Sequence, residues 1–431
     1  MEQIRLPEAI ETERLLLRRW TEADIPALYE AVDASRERVG RWMPWVTYYT
    51  GPEAAATFIA RAQQTWLTGA ELPLAVTDKV SGRILGGCGF HSTHPGRPLQ
   101  WDHRVIETGY WLRDGEEGKG YMREAVRAEI RLAVAHWGME SILIRADARN
   151  RSSRRIPEAL GFNLDIQMRN DQRDHHGELR DTCLYSLLRR EALPLIERWS
   201  DEPFAVTWSE RLPQRLDQQD EKPKASSEPA AHGLPRPMRI ETPRLILRPP
   251  ELDDADAFFA LLERSRASFE RWLGGAPRIR TRDDARDVFA AAIADGEAKR
   301  EFSLMAFERS SGELVGGGLL HEIDWKVPSA EIDWWLDDRQ TGKGFATEIG
   351  AAQLRFVMEA WRANRAHAWC NIDNHASRRV AERIGFRHEG TIRQEYSFAA
   401  RQRVDFAIYS VIPPDYERLL PALPAVRFET D

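Results

Sequence analysis

The chain is expected to fold as two domains of one α+β class, each a mixed sheet flanked by helices. Three observations predict it. The 431 residues exceed one domain of ordinary size. A set of motifs occurs twice, about 225 residues apart. Within each copy, strand-like runs alternate with helical stripes around a central strand–turn–helix–strand unit.

The duplication is legible residue by residue. Ile10-Glu11-Thr12-Glu13-Arg14-Leu15-Leu16-Leu17-Arg18 returns as Ile240-Glu241-Thr242-Pro243-Arg244-Leu245-Ile246-Leu247-Arg248, an offset of 230. Arg41-Trp42 and Arg271-Trp272 keep that offset, as do Gly86-Gly87 and Gly316-Gly317. From Glu107 and Glu331 onward the offset is 224, relating Gly118-Lys119-Gly120 to Gly342-Lys343-Gly344 and Asn150 and Ser153 to Asn374 and Ser377. It also relates Gly161-Phe162 to Gly385-Phe386, Asp181 to Asp405 and Tyr185 to Tyr409. The first copy therefore carries six extra residues around His91 to His103, which read as a surface loop, where length costs little. Pro213 to Pro237 almost lacks large apolar residues and reads as a linker. The expected domains are 7–200 and 238–424, with 201–237 between them.

Each element has a local reason. Arg14 to Trp20 is a short apolar run with strand character, and Thr21 with Asp24 starts an amphipathic helix to about Ala34. Ile84 to Phe90 and Val105 to Leu112 are rich in β-branched, aromatic and glycine residues, so they read as strands. Met122, Val126, Ile130, Ala133 and Trp137 form one helical face, which Ala346, Gly350, Leu354, Val357 and Trp361 reproduce. Ser141 to Ala146 reads as a strand, Ser152 to Leu160 as a short helix, and Cys183 to Leu188 as the final strand. Pro157, where the second copy has Ala381, is expected to disturb the early turns of that helix.

Composition narrows the function. Hydrophobic residues at 42% and charged residues at 30% describe a globular chain, not a disordered one. No apolar run approaches a membrane span, and the first residues lack a signal core, so a cytosolic location is expected. Cys88, Cys183 and Cys370 are too few and scattered for a disulfide framework or a metal knuckle. A net charge of −7 argues against nonspecific nucleic-acid binding. The pair His175-His176 reads as solvated, and no metal or redox cofactor is expected.

Glycines at 118 and 120 let successive backbone N–H groups converge at a helix start, which suits an anion such as a pyrophosphate. A plain turn is the competing reading, and the spacing is neither a Walker loop nor a dinucleotide fingerprint. Asn150 and Ser153, followed by Leu160-Gly161-Phe162, also read as ordinary helix capping and stop signals.

Together these residues resemble the GCN5-related N-acetyltransferase (GNAT) superfamily, in its RimJ/RimL branch that acetylates N-termini of ribosomal proteins. The resemblance rests on Glu-Thr-x-Arg-Leu-x-Leu-Arg, Glu107-Thr-Gly-Tyr-Trp-Leu, Gly118-Lys-Gly-Tyr-Met-Arg-Glu-Ala, Asn150-x-x-Ser153 ending in Leu-Gly-Phe, and Arg180-Asp181-x-x-x-Tyr185. It spans nearly all of both domains. It implies a sheet splayed between two parallel strands that holds acetyl-CoA. The coenzyme A arm would lie along Tyr110, Trp111 and Leu112, or Trp335 and Leu336. Its pyrophosphate would sit on Gly118, Lys119, Gly120 and Tyr121, or Gly342, Lys343, Gly344 and Phe345, with Asn150 and Asn374 nearby. Glu117, where the family usually has Arg or Gln, would repel a pyrophosphate unless it turns away.

The implied reaction is acetyl transfer to a primary amine, a protein N-terminus or a small amine. Such transfer needs a neutral amine, a polarised carbonyl and a proton for the thiolate. Glu107 and Glu331 are the candidate bases, with an ion-paired strand Glu as the competing reading. Ser153 and Ser377 are the candidate acids, Tyr185 and Tyr409 the alternatives, and Glu395 is placed in a post-helix loop. Trp42-Met43-Pro44-Trp45 and Tyr48-Tyr49 suggest an aromatic acceptor wall, against Trp272-Leu273-Gly274-Gly275 in the second copy. Hence the halves are expected to accept different amines, or one half to be mainly structural, and the two copies to pair within the chain. A small-molecule or antibiotic-modifying acetyltransferase and a coenzyme A-binding regulator without turnover are the rival readings.

Overall fold

The computed structural model describes residues 4–93, 98–99, 101–210, 235–273, 276–397 and 402–431. Gly274-Gly275, most of the expected linker and part of the extra loop lie outside them. The chain divides into two compact units. Among the described residues no helix is long and apolar enough to cross a membrane.

The first unit runs β1 (Pro7–Glu11), β2 (Leu15–Arg19), α1 (Ile25–Ala34), α2 (Arg36–Gly40), α3 (Pro52–Thr68), β3 (Leu72–Asp78) and β4 (Ile84–His91). It continues with β5 (Val105–Leu112), α4 (Tyr121–Arg131), β6 (Ser141–Asp147), α5 (Arg151–Ala159), β7 (Asn163–Arg173), β8 (Leu179–Leu188), α6 (Arg189–Arg198) and β9 (Ala205–Trp208). The second unit repeats this plan. Its first part is β10 (Pro237–Glu241), β11 (Leu245–Arg248), α7 (Ala255–Arg264), α8 (Arg266–Trp272), α9 (Arg282–Glu297), β12 (Phe302–Glu308) and β13 (Leu314–Asp324). Then come β14 (Ser329–Leu336), α10 (Phe345–Glu359), β15 (Arg365–Asn371), α11 (His375–Ile384), β16 (Arg387–Ser397), β17 (Gln402–Val411), α12 (Pro413–Leu419) and β18 (Arg427–Thr430).

The sequence signals act locally as read. Thr21 and Asp24 form a capping box that carries the chain into α1. Two expectations are corrected. Cys183 to Leu188 is not the last strand, because α6 and β9 follow and β9 pairs antiparallel with β1; residues 205–208, assigned to the linker, and β18, beyond 424, belong to the sheets. Pro157 does not disrupt α5. It sits near the C-terminal end of a continuous helix, and its missing N–H leaves the Ser153 carbonyl without its donor four residues on. The Tyr110 hydroxyl donates to that carbonyl at 3.1 Å.

Each sheet is mixed. In the first unit the order is β9–β1–β2–β3–β4–β5–β6–β8–β7, antiparallel except for β5 and β6. In the second it is β18–β10–β11–β12–β13–β14–β15–β17–β16, with β14 and β15 parallel. Apolar side chains pack on both faces. One core lies under α4, or α10 in the second unit, and the other under α1–α3, or α7–α9.

One buried group in the first unit is titratable. Glu129 on α4 is fully buried and accepts a hydrogen bond from Thr108 at 2.7 Å. Burial raises its pKa to about 7, against the hydrogen bonds from Thr108 and Cys88. The second unit has Gln353 here, whose amide donates to the Asp333 carbonyl at 2.9 Å. An acid raised on folding contributes stability that is complete below its unfolded pKa and is lost as pH rises through the folded value. Urea unfolding of wild type and Glu129→Gln between pH 5 and 8 should show the two diverge as pH rises. The wild type should lose on the order of 3 kcal/mol relative to the variant; parallel curves would exclude a buried acid at this position.

Candidate active site

The site begins where two parallel strands stop pairing. β5 and β6 are in register only at Val105–Ser141, Ile106–Ile142 and Glu107–Leu143. Beyond that, β5 stays with β4 to Leu112 and β6 stays with β8 to Asp147, so the two strands part. The second unit repeats it: Ser329–Arg365, Ala330–Ala366 and Glu331–His367 are paired, and then β14 and β15 separate. Parted strands present facing backbone edges to which an extended amide can add as a strand. Tyr110, Trp111 and Leu112 lie on the first such edge, and Trp335 and Leu336 on the second.

The glycine turns lie at the foot of the next helix. Gly118 and Gly120 have φ of 75° and 83°, and Gly342 and Gly344 have 77° and 82°, a region that favours glycine. Among the described residues no side chain caps α4 or α10, so their first backbone N–H groups are directed at the turn. Each turn is braced from the opening motif. Arg14 donates to the Lys119 carbonyl at 2.9 Å and to Glu124 on α4 at 2.7 Å, and its guanidinium lies 4.7 Å from the centre of the Tyr121 ring. Thr12 donates to the same Glu124 at 2.6 Å. Arg244, Lys343, Glu348, Phe345 and Thr242 repeat the brace.

The two turns differ in charge. Glu117 turns away, accepting from Gly115 N at 2.9 Å and pairing with Arg38. Glu116, buried, holds the Lys119 ammonium at 2.9 Å and pairs with Arg83 at the same distance. In the second unit the neutral Gln340 accepts from Lys343 at 2.6 Å, and among the described residues no carboxylate pairs with that lysine.

The strand glutamates differ as well. Glu107 is buried and its carboxylate lies 2.8 Å from Arg145 on β6. Glu331 is equally buried, but position 369, the counterpart of Arg145, is Trp. Its neighbours are imidazoles: His321 Nε2 at 4.0 Å and His367 Nε2 at 3.9 Å. Asp333, on the same face of β14, lies 3.1 Å from His321. Burial pushes the Glu331 carboxyl up, and His321 opposes it. For His321, burial works against charge, but Glu331 and Asp333 outweigh it and raise its pKa. Burial, with Arg365, holds His367 well below the ordinary histidine value, so it stays neutral.

The remaining candidates divide between structure and site. Asn150 and Asn374 accept from the backbone N of Ser153 and Ser377 at 3.1 Å, capping α5 and α11. Ser153 Oγ lies 3.4 Å from the Tyr110 hydroxyl, and Ser377 Oγ 3.4 Å from Cys370 Sγ. Tyr185 and Tyr409 are buried and donate to Glu158 at 2.8 Å and Glu382 at 3.0 Å. Glu395 is corrected: it lies on β16, paired with Val404, not in a loop. The aromatic wall splits, because Trp45 packs on Trp111 and Tyr49 is buried, while Tyr48 is exposed. Arg41 lies over Trp42, and Arg271 over Trp272. Trp335 packs edge-on against Phe258 and Phe269, each 5.6 Å away. His175 and His176 stack on each other in the turn between β7 and β8. Sequence reading missed Arg14, Glu124, Arg145, His321, Asp333 and His367; only Arg14, Glu124 and His321 carried a signal, their repetition.

An acetyl-CoA fits this geometry on two counts, a splayed edge for its amide arm and an uncapped helix start for its phosphates. Residues 14–163 and 244–387 each match the model of the acetyltransferase (GNAT) domain. The N-acetyltransferase YoaA of Bacillus subtilis (strain 168), itself uncharacterized, is 29% identical over 175 residues, covering 41% of this chain and 97% of its own. The ribosomal-protein-serine acetyltransferase of Escherichia coli (strain K12) is 29% identical over 96 residues, 22% of this chain and 54% of its own. A solved structure of RimL, the ribosomal L7/L12 alpha-N-protein acetyltransferase in complex with coenzyme A, is similar over 42% of this chain and 98% of its own, at 19% identity and a TM-score of 0.39. The two domain matches cover more than half of the residues, and the chain belongs to the GNAT family, as a tandem acyltransferase that uses acetyl-CoA.

Proposed function

We propose that the chain transfers an acetyl group to a primary amine, a protein N-terminus or a small amine, and that the second domain carries out the chemistry with Glu331 as the base. The observation that carries this reading is the contrast between Glu107, held by Arg145, and Glu331, buried where the strands part with imidazoles and no guanidinium beside it. A carboxylate bound to arginine is a poor proton acceptor, since protonation forfeits the ion pair. The similarity to a ribosomal-protein-serine acetyltransferase supports a peptide N-terminus as the acceptor.

The bound coenzyme supplies an acetyl thioester. Glu331 takes one proton from the acceptor ammonium, the amine nitrogen bonds to the carbonyl carbon, and the carbon–sulfur bond breaks as the nitrogen releases its second proton toward Ser377. Ser377, at the start of α11, returns a proton to the thiolate. The Gly342–Gly344 turn and Lys343 hold the pyrophosphate. The first domain keeps the fold of the site but has a paired base and a turn whose lysine is neutralised by Glu116. Its role is then in binding or in holding the chain's structure.

Thiol release from acetyl-CoA across a panel of N-terminal peptides and small amines tests the assignment. Glu331→Gln should lower the rate on the order of a hundredfold or more with coenzyme A binding retained, whereas Glu107→Gln should leave most of it. The reverse ranking would overturn the division. Replacing Glu116 with Gln, the residue type of the second domain, should tighten coenzyme A binding at the first turn by roughly three- to tenfold in a two-site calorimetric titration. An unchanged pair of affinities would show that Glu116 does not govern that turn.

A further inference from the structure

We infer that the second domain contains a binding site for a divalent transition metal of the zinc class, formed by His321, Glu331, Asp333 and His367. One ligand atom each from His321, Glu331 and Asp333 lies within 4.8 Å of the other two. His321 Nε2 is 3.1 Å from Asp333 and 4.0 Å from Glu331, and His367 Nε2 is 3.9 Å from the other oxygen of Glu331. Zinc holds nitrogen and carboxylate oxygen at about 2.0–2.2 Å, so its ligand atoms stand roughly 3.3 Å apart in a tetrahedron. His321, Glu331 and Asp333 close around one ion by side-chain shifts of about an ångström, while His367, which approaches Glu331, completes the set by a larger movement. Two imidazoles with two carboxylates are the donors that borderline metals choose, whereas magnesium and calcium prefer oxygen alone.

The fold itself assembles the cluster. His321 and Glu331 face each other across β13 and β14, His367 is the register partner of Glu331 on β15, and Asp333 is two residues along the same face. The Asp333 side chain is 42% exposed and gives an ion a way in. The first domain supplies an internal control. It keeps His91 and Glu107, but has Gly109 and Leu143 where the second has Asp333 and His367, and places Arg145 on the glutamate. A cation cannot enter beside that guanidinium.

The site shares Glu331 with the proposed base, so one consequence rests on that reading: a bound ion withholds the carboxylate from the acceptor and stops transfer. Binding itself does not depend on it. Zinc titrated calorimetrically into the full chain should give one saturable site per chain. That site should weaken at least tenfold in His321→Gln and in Asp333→Asn, and persist in His91→Gln. Cobalt should report the same site through its visible absorption, and circular dichroism establishes that each variant is folded. No saturable binding, binding indifferent to both second-domain substitutions, or binding lost instead when His175 and His176 are replaced would each overturn the proposal. Turnover of Glu331→Gln measured with a chelator present separates the two ideas. Full activity there sinks the base assignment and leaves the metal site standing, while a lost rate without metal binding does the opposite.

Discussion

The separation of two parallel strands after three register pairs is the constraint on which the rest of each domain depends. β5 and β14 are held on one side by an antiparallel partner through the stretch where the strands part, and β6 and β15 are held likewise on the other. Neither can follow the other without leaving its own ladder. The backbone groups on the facing edges must find partners elsewhere, since an amide taken from water unpaired costs stability. An extended ligand arm supplies them, and the helix that follows the first of these strands brings its positive end to the same place. Binding and fold are thus one arrangement, which accounts for the occurrence of the same splay, turn and brace in both halves.

Charge is where the halves part company. Arg145 converts a buried strand glutamate into an ion pair, and Glu116 does the same to a lysine that would otherwise face an anion. Neither change alters the path of the backbone. The braces made by Arg14 and Arg244 are nearly superimposable in their distances, so the turns keep their form while their electrostatics diverge. A duplicated chain tolerates such drift in one copy because the other retains the uncompensated groups.

Much of this was legible in the residues. Val105 to Leu112 is a strand to the residue, and Thr21 with Asp24 caps as read. The repeated motifs located both turns. What escaped was either too short or too distant in sequence. Ala205–Trp208 is a four-residue edge strand whose only reason to exist is its partner β1, and nothing local announces it. Pro157 signalled a break, but its effect depends on Tyr110, far away in sequence, satisfying the carbonyl it frees. The neighbours of the two glutamates come from adjacent strands, so their identity follows from register, and register is a property of the assembled sheet. Hence sequence reading reached Glu107 and Glu331 but could not tell that one is paired with arginine and the other with histidines.

That difference is also an energetic argument. A domain stable by about 5–15 kcal/mol cannot hold many buried carboxylates without compensation. Three buried glutamates, two on strands and one on α4, are each treated differently. Glu107 is neutralised by a cation, and Glu129 has its proton affinity raised while it accepts from Thr108. Among the described residues no guanidinium pairs with Glu331; a backbone hydrogen bond from Trp369 and two imidazoles near 4 Å are its polar neighbours. A group retained at such cost, beside partners whose charge can change, is the kind of place that suits proton transfer or metal ligation better than a purely structural role. The apolar faces around it could have been completed by leucine, as position 143 shows for its neighbour in the first domain. The second domain keeps the ionisable set, and those residues converge on this one point in the sheet.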